Sequence, residues 1–135
     1  MDNEAEISEE GGLALKFKLD SDHAGVLVVT ISGDQFLARI TIDSEPASPQ
    51  LGNLVSFFTL AANAGRETQW TSLGEDLDLR AEPTNDGMVR LHIQTGSTTD
   101  DNCNWITSAS LLTSPEQLNR CAEALRLIYR FKTSN

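Results

Sequence analysis

Alternation restricts this chain more than any other feature. Leu13, Leu15, Phe17 and Leu19 are separated by single residues, Lys16 and Lys18 among them. In an extended chain that spacing puts the apolar side chains on one face and the lysines on the other. The same two-residue period returns at Phe36, Ala38, Ile40 and Ile42, at Leu77, Leu79 and Ala81, at Val89, Leu91 and Ile93, and at Trp105, Thr107, Ala109 and Leu111. Residues 26–31 are apolar and rich in β-branched side chains on both faces, as a central strand requires, and residues 68–73 read as a further short strand. A chain patterned this way builds sheet with one buried and one solvated face. The solvated positions are Lys16, Lys18, Asp76, Asp78, Arg80, Arg90 and His92, which mix both charges.

Two segments leave this period for helical spacing. Leu51, Leu54, Val55, Phe58, Ala61 and Ala62 share one helical face. Ser48 serves as N-cap, Pro49 as the first helical residue and Gly65 as the left-handed stop. The last helix opens on Ser114-Pro115-Glu116-Gln117, a capping box in which the Ser114 hydroxyl accepts from the Gln117 N–H and the glutamine side chain can reach back. Leu118, Cys121, Ala122, Leu125 and Ile128 form its apolar stripe. Asn85-Asp86-Gly87, between two alternating runs, is a hairpin turn. The element order is βββ-α-βββ(β)-α. Short turns imply antiparallel pairing, so the expected fold is α+β: a single, mainly antiparallel sheet of about six to seven strands with two helices packed on one face.

At 135 residues the length suits one domain, expected over residues 13–132. Residues 1–12 read as an acidic disordered tail, because five of the first ten residues are acids and Gly11-Gly12 closes the segment. No apolar run approaches the roughly 20 residues of a membrane helix. Met1-Asp2-Asn3-Glu4-Ala5-Glu6 is acidic where a signal peptide is basic and then apolar. A cytoplasmic protein is therefore expected. The formal charge of −10 repels phosphate backbones and anionic membranes, so neither nucleic acid nor membrane is expected as a partner. A basic protein would be drawn to it; the alternative is that the acidity serves solubility alone.

The residues suggest no catalytic set, no metal site and no cofactor. His23 and His92 read as solvated surface histidines, and Asp20, Asp22 and His23 lack further ligands to complete a metal site. Ser72-Leu73-Gly74 does not make a nucleophile elbow. Cys103 and Cys121 stand 18 apart, the wrong spacing for zinc and too few for a disulfide scaffold. Cys103 has no basic neighbour to lower its pKa, and Cys121 can pack as a small apolar residue. Asp100-Asp101 beside Trp105 forms a possible contact patch, unless Trp105 is core and the acids only solvate their loop. With the acids of the solvated face and turns, the candidate partner-binding residues are Glu75, Asp76, Asp78, Asp86, Asp100 and Asp101.

The layout resembles the WapI-type immunity proteins of bacterial polymorphic toxin systems, and an allied actinobacterial family of small proteins of unassigned function. The resemblance runs over residues 26–128. It is carried by a helix with Leu54, Phe57, Phe58 and Leu60-Ala61, and by the strand start Trp70-Thr71-Ser72-Leu73-Gly74-Glu75. A Leu-x-Leu strand, an Asp-Gly turn, a Val-x-Leu-x-Ile strand, a tryptophan strand and a leucine-rich last helix complete it. The family's Ser-Leu-Glu-Gly is inverted here to Ser72-Leu73-Gly74-Glu75. The resemblance implies binding without catalysis: a protein that neutralises a cognate toxin domain by occlusion, with a basic, nuclease-like toxin as partner. It carries over no functional residues. A small acidic secretion chaperone is the alternative, although those proteins usually open with a helix and this chain opens with strands. A small enzyme would need a convergent pocket of titratable groups.

Overall fold

The chain uses one plan twice. The computed structural model describes residues 4–9, 12–19, 26–33, 36–43, 50–63, 65–72, 77–96 and 106–133. In the first half, β1 (Glu4–Ser8), β2 (Ala14–Leu19), β3 (Val26–Gly33) and β4 (Phe36–Asp43) lead into α1 (Gln50–Asn63). In the second, β5 (Thr68–Thr71), β6 (Leu77–Pro83), β7 (Val89–Gly96) and β8 (Ile106–Thr113) lead into α2 (Pro115–Thr133). Each set of four strands forms its own antiparallel sheet, with the strands side by side in chain order.

The α+β class and the two helices are as the sequence predicts, but the single sheet is not. Two four-stranded sheets replace it, because the chain leaves β4 through α1 and begins a new meander at β5. Alternation tells which face of a strand is solvated; it carries no information on which strand lies next to it. The helices pack on one another, and each also reaches the first strand of the other half: α1 meets β5, and α2 meets β1. Phe58 of α1 sets its ring edge-on to Phe17 of β2, with centroids 5.8 Å apart, so α1 serves both sheets. One cluster of buried side chains draws on both sheets and both helices.

The expected tail is also overturned for residues 4–8. That segment is strand β1, pairing Ala5 with Phe17 and Ile7 with Leu15. Ala5 and Ile7 are 2% and 0% exposed, and Glu4, Glu6 and Ser8 take the outer positions. Two apolar residues at strand spacing suffice where a pairing edge and a helix are at hand. Glu9 then links the halves: its Oε2 accepts the backbone N–H of Leu112 on β8 at 2.7 Å. A tight turn aims it, with the Gly12 N–H donating to the Glu9 carbonyl at 2.9 Å and the Glu9 N–H to the Leu13 carbonyl at 2.8 Å. A Cβ on Gly12 would stand 2.5 Å from Glu9 Oε1, so glycine leaves the carboxylate its place.

The punctuation of α2 follows the sequence closely. The Gln117 N–H donates to Ser114 Oγ at 3.1 Å. The Gln117 side chain accepts from the Thr113 hydroxyl at 2.5 Å instead of returning to the cap's own N–H. Gly65 ends α1 at φ +66°, in the left-handed region where a side chain would be strained. Ser48 and Pro49 lie outside the described residues.

Candidate functional site

Antiparallel register stacks the outward residues of the second sheet into rows. Gln69, Arg80, His92 and Ser110 stand opposite one another across β5, β6, β7 and β8. Thr71, Asp78, Gln94 and Ser108 make the next row. The intervening Trp70, Leu79 and Ile93 are buried in the core, with Ala109 half-buried beside them, as the pleat requires. Ser108 and Ser110 are short, while Gln94, His92, Arg80 and Gln69 are long. The sheet face is therefore hollowed into an open groove of about 620 Å³, with Glu67 at its β5 end.

The two rows differ in hydrogen-bonding character. Gln69, Arg80, His92 and Ser110 can all donate. The second row holds Asp78, and its carboxylate is already engaged: Oδ1 accepts from Gln69 Nε2 at 2.9 Å and from Thr71 Oγ1 at 2.7 Å. Both donors stand on β5, so Asp78 is drawn toward that strand. Arg80 is two residues further along the same strand and face, about 6.6 Å away by strand geometry. No described carboxylate lies within ion-pair distance of Arg80. His92 Nε2 lies 3.2 Å from Glu82 Oε1 at the neighbouring outward position of β6.

A hydroxyl, an imidazole and a carboxylate thus follow one another from Ser110 through His92 to Glu82. Ser110 and His92 share a register position but no hydrogen bond. The backbone N–H groups of β7 and β8 lie in the plane of the sheet, where their pairing places them, and do not point into the groove. The arrangement offers charge and side-chain hydrogen bonds to whatever lies against it. Among the described residues, no group of three or more His, Cys, Asp or Glu side chains is placed to hold a metal ion. No described helix is long and apolar enough to cross a membrane.

Of the six acids predicted to bind a partner, Asp78 lies in the groove and Asp86 does not. Asp86 is at the tip of the β6–β7 hairpin, about 16 Å along the strands from the Asp78 row. The Thr84 N–H donates to the Met88 carbonyl at 2.9 Å, leaving a three-residue loop with Gly87 at φ +83°. The Thr84 hydroxyl donates to Asp86 Oδ1 and holds that carboxyl below its ordinary pKa of 3.8. Glu75, Asp76, Asp100 and Asp101 lie outside the described residues, as do Cys103 and Trp105. Trp70 is core. Cys121 is buried in α2, and burial pushes its thiol pKa up, which keeps it protonated.

Sequence reasoning placed Arg80 and His92 on the solvated face without seeing that they meet. The missing signal was inter-strand register, which sets Arg80 beside His92 and His92 beside Ser110. Ser108 and Ser110 were missed outright, because a serine on an outward position of a strand carries no mark of its own. No protein-family model matches the chain, and no curated protein matches it significantly.

Proposed function

We propose that this protein is an immunity protein: it binds a cognate toxin domain in the cytoplasm of the producing cell and blocks it by occlusion, making and breaking no bond in it. The outer face of the second sheet is the surface it uses, and a basic, nuclease-like domain is the partner. The observation that carries the reading is the groove across that face, broad, open and polar, with Asp78 held before anything binds. Sites for small molecules are enclosed and mostly apolar, whereas protein interfaces are flatter and bring polar groups to the contact. A side chain fixed in advance loses little entropy on binding. The charge of −10 adds long-range attraction for a basic domain, which raises the association rate. The toxin itself enters through the resemblance in layout, since shape and charge speak only of binding.

Co-expression tests the reading. A toxin domain encoded beside this gene should arrest growth alone, lose that effect with this protein present, and elute with it as one complex. No rescue from any adjacent toxin would sink the proposal. Co-purification with a secreted protein that stays active, as a dimer by light scattering, would point to the secretion chaperone. Turnover of p-nitrophenyl acetate abolished by Ser110→Ala would turn the reading toward catalysis by the Ser110–His92–Glu82 succession.

A further inference from the structure

We infer that the groove recognises a carboxylate: an aspartate or glutamate side chain on the protein partner, seated along the Gln69–Arg80–His92–Ser110 row. This rests on the reading that the second sheet's outer face is the binding surface, and it names the chemistry of the contact.

The argument is one of charge matching. Five of the basic side chains face an acid. Arg120 pairs with Glu116 and Arg126 with Glu123 along α2. Lys16 stands opposite Glu6, Lys18 opposite Glu4, and Arg90 opposite Glu82. Arg80 stands between Gln69 and His92, and neither is acidic. The nearest acid on its own strand, Asp78, is turned to Gln69 and Thr71. Arg39, opposite Thr30 on the first sheet, has no acid across from it either, but Arg80 is the one of the two that lines the groove. A carboxylate there would meet the guanidinium fork in a bidentate pair, with the Ser110 hydroxyl as a flanking donor.

The walls select the ligand further. Asp78 and Glu67 line the same groove and repel a dianion such as a phosphate more than a monoanion. The groove is too open to bury a free metabolite, so the carboxylate arrives attached to a surface. It therefore supplies the short-range, specificity-setting contact on a molecule whose long-range field attracts bases.

The test is a ¹H–¹⁵N NMR titration of the intact protein with N-acetyl-aspartate methylamide and its neutral isostere, N-acetyl-asparagine methylamide. The expected result is saturable shifts confined to the amides of residues 69, 80, 92 and 108–110 with the aspartate compound. The asparagine compound, and the Arg80→Gln variant, should each bind about tenfold more weakly, the loss of roughly one charge-assisted hydrogen bond. Arg80→Lys should recover part of the binding. No shifts at 100-fold excess, equal shifts with the asparagine compound, or an unchanged Arg80→Gln variant would overturn the inference. Equal binding of N-acetylglycine would overturn the choice of a side chain over a chain terminus. Toxin rescue separates this idea from the one beneath it. Rescue that survives Arg80→Gln leaves the immunity reading standing and removes this one, whereas aspartate binding without rescue does the reverse.

Discussion

The two halves share a plan and differ in their outer faces. Both run four antiparallel strands into a helix, and both send that helix to the other half's first strand. On the first sheet, Lys16 and Lys18 have Glu6 and Glu4 across from them, and Arg39 stands opposite Thr30. On the second sheet, a row of donors crosses all four strands beside a fixed carboxylate, and the face is hollowed. The buried faces do the same work in both halves and contribute to one core. Repeated architecture thus accounts for stability, and the departure from the repeat marks the surface available for recognition.

Phe58→Ala gives the sharpest test of the shared core. Phe58 is fully buried, and its ring meets Phe17 and Phe57. Its loss should cost about 3–5 kcal/mol by urea denaturation, in a single transition seen by every probe. Two separate transitions would break the picture of halves bound by one core. Next in size is the link across the halves. Glu9→Ala should cost about 1.5 kcal/mol, and Gly12→Ala should cause a similar loss because its Cβ displaces the Glu9 carboxylate. If both substitutions are neutral, the link contributes nothing.

A smaller effect separates the outer faces. Arg80→Gln and Lys16→Gln should each leave stability within about 0.5 kcal/mol of the parent, as exposed substitutions do. Only Arg80→Gln should weaken neutralisation of a toxin partner, and equal weakening by Lys16→Gln would erase the distinction between the faces. The smallest effect is local to the β6–β7 hairpin. The Thr84 hydroxyl lowers the Asp86 pKa below 3.8, so the charged form is favoured in the fold. That contribution is present above the ordinary carboxylate pKa and disappears as pH falls through the lowered one. Protection of the Gly87 amide, corrected for the intrinsic pH dependence of exchange, should fall over that acid range in the parent and stay flat in Asp86→Asn.

Much of this was readable in the residues, and the failures have physical causes. The caps of α2, the stop at Gly65, the Asp86-Gly87 turn and the faces of β6 and β7 depend on local chemistry, which a short stretch of sequence contains. Thr84 was not read as part of the turn, although its side chain holds Asp86 and accepts the Met88 N–H at 3.1 Å. The division into two sheets depends on which strand neighbours which, and no strand's own alternation encodes that. β1 was lost because five of the first ten residues are acids, although Ala5 and Ile7 hold strand spacing. The groove was lost for want of register, since Arg80, His92 and Ser110 lie far apart along the chain and meet only after pairing.

The contact between Glu9 and Leu112 joins residues 103 apart in sequence. During synthesis β1 emerges well before β8 and α2, which meet it in the folded protein. A nascent chain therefore carries Ala5 and Ile7 paired to β2 but uncovered until α2 has followed. Closure of the core must wait for α2, and a ribosome stalled before it would display an unfinished molecule, open at the seam where the finished one is closed.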